Sequence, residues 1–146
     1  FVGGGAKLNQ IVTFKKSFAL DNIYIYPYQN RCNLRYSLAA CDVSIIAMVP
    51  GSEDTIAPSK FYGILASSKP IILIGSPRSD IAQLILYHNC GFVVDCGDCM
   101  SLANSILALS SDPQLMDELG TNAYQLYKSK FGKTKSTLQY FNILSR

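Results

Sequence analysis

Residues 58–74 read Pro-Ser-Lys-Phe-Tyr-Gly-Ile-Leu-Ala-Ser-Ser-Lys-Pro-Ile-Ile-Leu-Ile. Ser59 stands where a helix N-cap is expected, and the apolar positions that follow recur at helical spacing through about Ser67. Pro70 ends the helical register and leads into Ile71-Ile72-Leu73-Ile74, four consecutive apolar residues. A strand with no polar alternation is one that is covered on both faces, as in a parallel sheet. Helix followed directly by such a strand is half of a βαβ unit.

The same alternation extends in both directions. Upstream, Phe1-Val2 reads as a strand stub and residues 6–18 as an amphipathic helix carrying Leu8, Ile11, Val12 and Phe14. Asn22–Tyr26 reads as a β-branched and aromatic strand closed by Pro27, residues 33–40 as a helix, and Val43–Met48 as an apolar strand. Downstream come a helix over Asp80–Tyr87 and a strand over Phe92–Val94. From Ser101 to Arg146 the pattern is helical, with Asp112-Pro113 opening one helix and Gly132 dividing it from the last. Five apolar strands separated by helices predict an α/β fold with a doubly wound, Rossmann-like parallel sheet.

Composition agrees with one compact domain over residues 1–146. Of the 146 residues 49% are hydrophobic, enough for a substantial core, and 16% are charged, low for a free-standing soluble domain. The positive mean hydropathy suggests apolar surface intended for a neighbouring domain. The opening Phe1-Val2-Gly3-Gly4-Gly5 reads as a chain begun inside a longer protein.

A net charge of +3, spread along the chain, argues against nucleic acid as a partner. Lys128, Lys130, Lys133 and Lys135 form the densest basic cluster, suited to a solvated helix end or to contact with anionic lipid. Five cysteines, odd in number and irregularly spaced, fit reduced thiols and a cytoplasmic setting.

In doubly wound sheets ligands gather at the carboxyl ends of the strands, where three loops are chemically unusual: Gly3 to Gly5, Pro27 to Arg31, and Val49 to Lys60. The glycine run serves equally as a tight turn or as a backbone that approaches a phosphate. It lacks the spaced dinucleotide fingerprint, which disfavours an NAD(P) domain. Ser59 with the first-turn N–H groups offers donors to a phosphate, and Lys60 adds a positive charge. Cys96-Gly97-Asp98-Cys99 has the spacing of a redox pair or half a zinc site, with a structural turn the preferred reading. His88, the single histidine, stands at a helix end where the dipole accounts for it, and no serine–histidine–acid triad is assembled by the sequence.

Taken in order, Phe1-Val2-Gly3-Gly4-Gly5, Tyr26-Pro27-Tyr28, Ser37 to Val43, Pro58 to Ala66 with Lys69-Pro70, Gly91 to Val94 and Gly97-Asp98 resemble the C-terminal domain of retaining GT-B glycosyltransferases of group 1, in a bacterial branch that builds surface polysaccharides. The resemblance implies an enzyme that moves a sugar from an NDP-sugar, UDP in the first place, to a glycan or lipid-linked acceptor. It implies no cofactor or obligatory metal, and an acceptor-binding N-terminal domain outside this chain. It also implies peripheral contact with the inner membrane face. Donor binding falls on Gly4, Gly5, Tyr28, Gln29, Pro58, Ser59, Lys60 and Gly63, with Glu53, Asp54 and Thr55 in the intervening loop. Relatives carry two glutamates separated by seven residues ahead of the Lys-Pro step. Registration on Lys69-Pro70 puts Thr55 and Gly63 at those places, so Glu53 or Asp54 would have to substitute. A fragment of this kind is expected to bind donor weakly and to catalyse nothing by itself. The competing expectation is a non-catalytic nucleotide-binding or regulatory domain of the same fold.

Overall fold

A computed structural model describes residues 1–51 and 58–145, which form two compact units, Phe1–Ser37 and Leu38–Arg146.

In the first unit, helix α1 spans Leu8–Ser17 and none of residues 1–37 is fully buried. Val2 and Tyr26 make an isolated parallel bridge, held by Tyr26 N–H donating to Phe1 O (2.8 Å) and Gly3 N–H donating to Tyr26 O (2.9 Å). Two of the five expected strands therefore amount to one bridge. The reason is local: Gly3, at φ +106°, turns the chain away after Val2, so Asn22–Tyr26 has only a two-residue template to pair with.

The second unit contains the sheet. Strands β1 (Ser44–Ala47), β2 (Ile71–Ile74) and β3 (Gly91–Val94) are parallel in the order β1-β2-β3, with Ser44 opposite Ile71 and Ile71 opposite Gly91. Helix α2 (Leu34–Ala39) runs up to β1, α3 (Lys60–Ala66) joins β1 to β2, and α4 (Asp80–Tyr87) joins β2 to β3. Helices α5 (Cys99–Ser111), α6 (Pro113–Leu126) and α7 (Lys133–Leu144) follow, with a π-helical turn at Tyr127–Phe131 before Gly132 opens α7.

The all-apolar reading of β2 has its counterpart in the core. Ile71 and Leu73 face one layer, with Phe61, Leu65, Ile85, Cys90, Ala123 and Leu126, while Ile72 faces the other, with Val94, Leu109 and Leu119. Both faces of the central strand are dry, so alternation in sequence would have left a polar group buried. Gly91 is required by the sheet itself, because a Cβ there would lie 1.8 Å from the carbonyl oxygen of Ile71.

Helix caps explain where the helices start. The side chains of Ser79, Asp98 and Asp112 accept from the N–H groups of Ala82, Ser101 and Leu115 respectively. Ser59 departs from expectation. Its backbone is already helical (φ −57°, ψ −25°), its hydroxyl makes no capping bond, and the first turn closes through Phe61 N–H to Pro58 O at 2.9 Å.

Candidate functional site

The carboxyl edge of the sheet is built from three strand ends. Met48 N–H donates to Ile74 O (2.9 Å) and Gly75 N–H donates to Val94 O (2.9 Å), so β1 and β2 each extend one residue past their regular pairing. Val49 follows β1 at this edge, and Pro58 leads Ser59 and Lys60 into the first turn of α3. Ser59 and Lys60 are exposed and Pro58 is half-buried. Lys60 has no hydrogen-bond or ion-pair partner among the described residues, so its ammonium is free to meet an anion.

Gly63 lies one turn further along α3. A Cβ at this position would approach Leu38 Cδ1 to 2.9 Å, so the absence of a side chain lets Leu38 pack against the helix. A carboxylate-bearing residue here would have to displace the tip of that leucine. Glu53, Asp54 and Thr55 lie outside the described residues.

The glycine turn and the Tyr28 loop come together within the first unit. The Tyr28 hydroxyl donates to Gly4 O at 2.8 Å, and its ring covers the turn closely enough that Cβ atoms on Gly3 and Gly4 would stand 3.1 and 3.4 Å from it. Gly5 has open space around its Cα, and its carbonyl accepts from Leu8 N–H (3.0 Å) at the start of α1. The side chain of Gln29 folds back to donate to Pro27 O at 3.1 Å. The turn and aromatic ring thus support one another, leaving Gly5 as the open position of the three glycines.

Two further features lie at this edge: Arg78, which sequence reasoning missed, and the Cys96–Cys99 segment, for which a structural turn is the preferred sequence reading. The β2–α4 loop adds Arg78, exposed, in a turn stabilised by Gln83 Nε2 donating to Pro77 O at 2.7 Å. Its signal was the Gly75-Ser76-Pro77 turn at a strand end. The Cys96–Cys99 segment is a turn into α5: Asp98 caps the helix, and its bonds from the Ser101 hydroxyl and N–H hold its carboxyl below the ordinary range. Among the described residues no group of three metal-ligating side chains occurs.

His88 follows α4 as its C-cap, with Nε2 buried and unpartnered among the described residues. Desolvation by burial and, after it, the nearby Lys130 charge both lower its pKa. None of the described helices is long and apolar enough to cross a membrane.

No family model matches the chain. In sequence it is similar to the probable glycosyltransferase WbjE of Pseudomonas aeruginosa, 29% identical over 109 residues, which covers 73% of this chain and 26% of that protein. In structure, 99% of the chain superposes on 37% of sucrose-phosphate synthase from Thermosynechococcus elongatus, with a TM-score of 0.81 at 19% identity. The same 99% superposes on 39% of Anabaena HepE, solved in complex with UDP-glucose, with a TM-score of 0.81 at 18% identity.

The chain has the fold of the C-terminal domain of a GT-B glycosyltransferase. As a GT-B C-terminal domain fold it places Pro58, Ser59 and Lys60 at the carboxyl edge of a parallel sheet, the edge at which open α/β sheets take ligands. The chain spans about a quarter of the length of WbjE and less than two fifths of the two solved GT-B proteins.

Proposed function

We propose that this chain is the donor-binding half of a glycosyltransferase that moves a sugar from an NDP-sugar, with UDP as the first candidate nucleotide, to a glycan or lipid-linked acceptor. The observation that carries the reading is the exposed Ser59-Lys60 pair at the carboxyl edge of the sheet, in a chain similar in sequence to WbjE. The UDP-glucose present in the HepE structure makes UDP the nucleotide to try first.

In this reading the Lys60 ammonium neutralises charge on the diphosphate, which grows as the sugar–phosphate bond breaks. The hydroxyl of Ser59, uncommitted to capping, is available to the same phosphates. Within the first unit, taken by itself, Gly5 leaves the backbone accessible at the glycine turn, and it is the resemblance to GT-B enzymes that assigns Tyr28 and Gln29 to the base of a nucleotide. No residue of this chain is assigned to bond cleavage. The proposal includes a partner domain of the same protein that binds acceptor, retention of anomeric configuration, a reaction without obligatory metal, and peripheral contact with the inner membrane face.

A second reading, a nucleotide-binding or regulatory domain without transfer activity, is favoured by Gly63, where Leu38 occupies the room a glutamate would take. Calorimetric titration with UDP, GDP, ADP and NAD distinguishes the two from unrelated folds. Selective binding of one nucleoside diphosphate supports a donor site, tight NAD binding would replace it with a dinucleotide site, and absence of all binding would sink both. Transfer by the protein carrying its acceptor-binding domain then separates enzyme from regulator.

A further inference from the structure

Cys96 and Cys99 are the two cysteines that nucleotide binding leaves unused at the sheet's carboxyl edge. Both are exposed and free. Between them the chain makes two tight turns in succession. Asp98 N–H donates to Asp95 O at 3.1 Å, with Gly97 at φ +93°, and Cys99 N–H then donates to Gly97 O at 3.0 Å across Asp98. This is the local reversal that a two-residue spacing needs if the sulfurs are to meet.

The Cys96 thiol also reaches across the sheet. Its Sγ donates to Met48 O at 3.6 Å, from the loop after β3 to the end of β1, passing β2 where Gly75 carries no side chain. A Cβ on Gly75 would itself stand 3.3 Å from Met48 Cβ, so the edge is closely packed at this crossing. Met48 directly follows the last residue of β1.

We propose that Cys96 and Cys99 form a reversible dithiol–disulfide pair, oxidised by a small disulfide of the glutathione class, whose state decides whether Met48 O keeps its thiol donor. One thiol loses its proton to water and attacks glutathione disulfide, breaking its S–S bond, forming a mixed disulfide and releasing one glutathione. The second thiolate then attacks the protein sulfur of that mixed disulfide and expels the other glutathione. The protein loses two electrons and two protons; the small disulfide gains them as two thiols. In the oxidised state Cys96 has no S–H, and the bond to Met48 O is lost. This inference does not depend on nucleotide binding.

The test is anaerobic incubation of the reduced protein with glutathione disulfide, acid quenching, alkylation and peptide mass mapping. The expected product is lighter by two hydrogen atoms, carries a Cys96–Cys99 bond and reverts with dithiothreitol. Cys96→Ser and Cys99→Ser should each stop at a single glutathione adduct on the remaining thiol. Cys90, buried and pushed up to about 11, should stay unmodified, which reports that each variant is folded. Stable separate adducts on both cysteines of the parent protein, or a bond to Cys32 or Cys41 instead, would overturn the pairing. The Met48 carbonyl carbon shift should move on oxidation and in reduced Cys96→Ala but not in reduced Cys99→Ala. An unmoved shift in Cys96→Ala would overturn the link to β1.

Discussion

Ser68 Oγ donates to Gly120 O at 2.9 Å, while a Cβ on Gly120 would stand only 2.5 Å from the carbonyl oxygen of Ser68. The contact fixes α6 against the turn between α3 and β2, at the amino edge of the sheet. One residue supplies the hydrogen bond, and the other supplies the missing side chain that lets the backbones approach.

Gly120→Ala should therefore destabilise by about 1–3 kcal/mol, because the new methyl meets backbone that cannot swing away. Ser68→Ala should cost about 1 kcal/mol, the net value of one hydrogen bond. Urea denaturation of both variants checks the order. A Gly120→Ala loss no larger than that of Ser68→Ala would mean that the turn yields freely.

Gly91→Ala should be the more severe change, about 3 kcal/mol or more, since its Cβ would enter the β2–β3 ladder 1.8 Å from Ile71 O. Thermal unfolding followed by circular dichroism would register this as a large fall in midpoint or as failure to fold.

Lys60→Ala should weaken binding of UDP roughly tenfold, about 1.4 kcal/mol, by removing a charged donor from the phosphates. Because Lys60 is exposed and without a described partner, its thermal midpoint should hardly move. Equal UDP affinity in the parent and the variant by calorimetry would remove Lys60 from the site.

His88 predicts a pH effect of definite sign. Its folded pKa lies below the ordinary value of 6.5, so the unfolded chain takes up the proton first as the pH falls. Stability linked to this residue is complete above pH 6.5 and declines below it, until the folded form is protonated as well. Asp98, also lowered but from 3.8, loses its contribution in a more acid range. His88→Leu should flatten the decline in urea midpoint between pH 7.5 and 5.5, and an unchanged slope would assign the decline elsewhere.

Signals confined to neighbouring residues were legible in the sequence. Asp80–Tyr87 is a helix over the residues anticipated, and Pro70 leads β2 as read, because capping and unbroken apolar runs act within a few residues. Features set by a distant partner were not. Asn22–Tyr26 has strand composition, yet its pairing rests on what lies beside it, and Val2 supplies a single bridge. Gly63 was read as a lost carboxylate, whereas Leu38, 25 places earlier in the chain, is what gives the glycine its room. The Ser59 cap failed for a backbone reason: the residue precedes α3 but already has helical φ and ψ instead of the extended conformation of a capping residue, and its hydroxyl makes no bond to the first-turn N–H groups. Of the site, the Pro58–Lys60 approach and the Gly4–Tyr28 pairing were foreseeable as loops, but their hydrogen bonds were not.

The distribution of buried side chains has a consequence for how the chain opens. Residues 1–37 contain no fully buried side chain, whereas β2 is sealed on both faces. Amide protons of α1 should therefore exchange through small, frequent local fluctuations, while those of β2 wait for global unfolding. A single melting curve would average over these processes, and a residue-resolved exchange profile would show two separate free energies of opening.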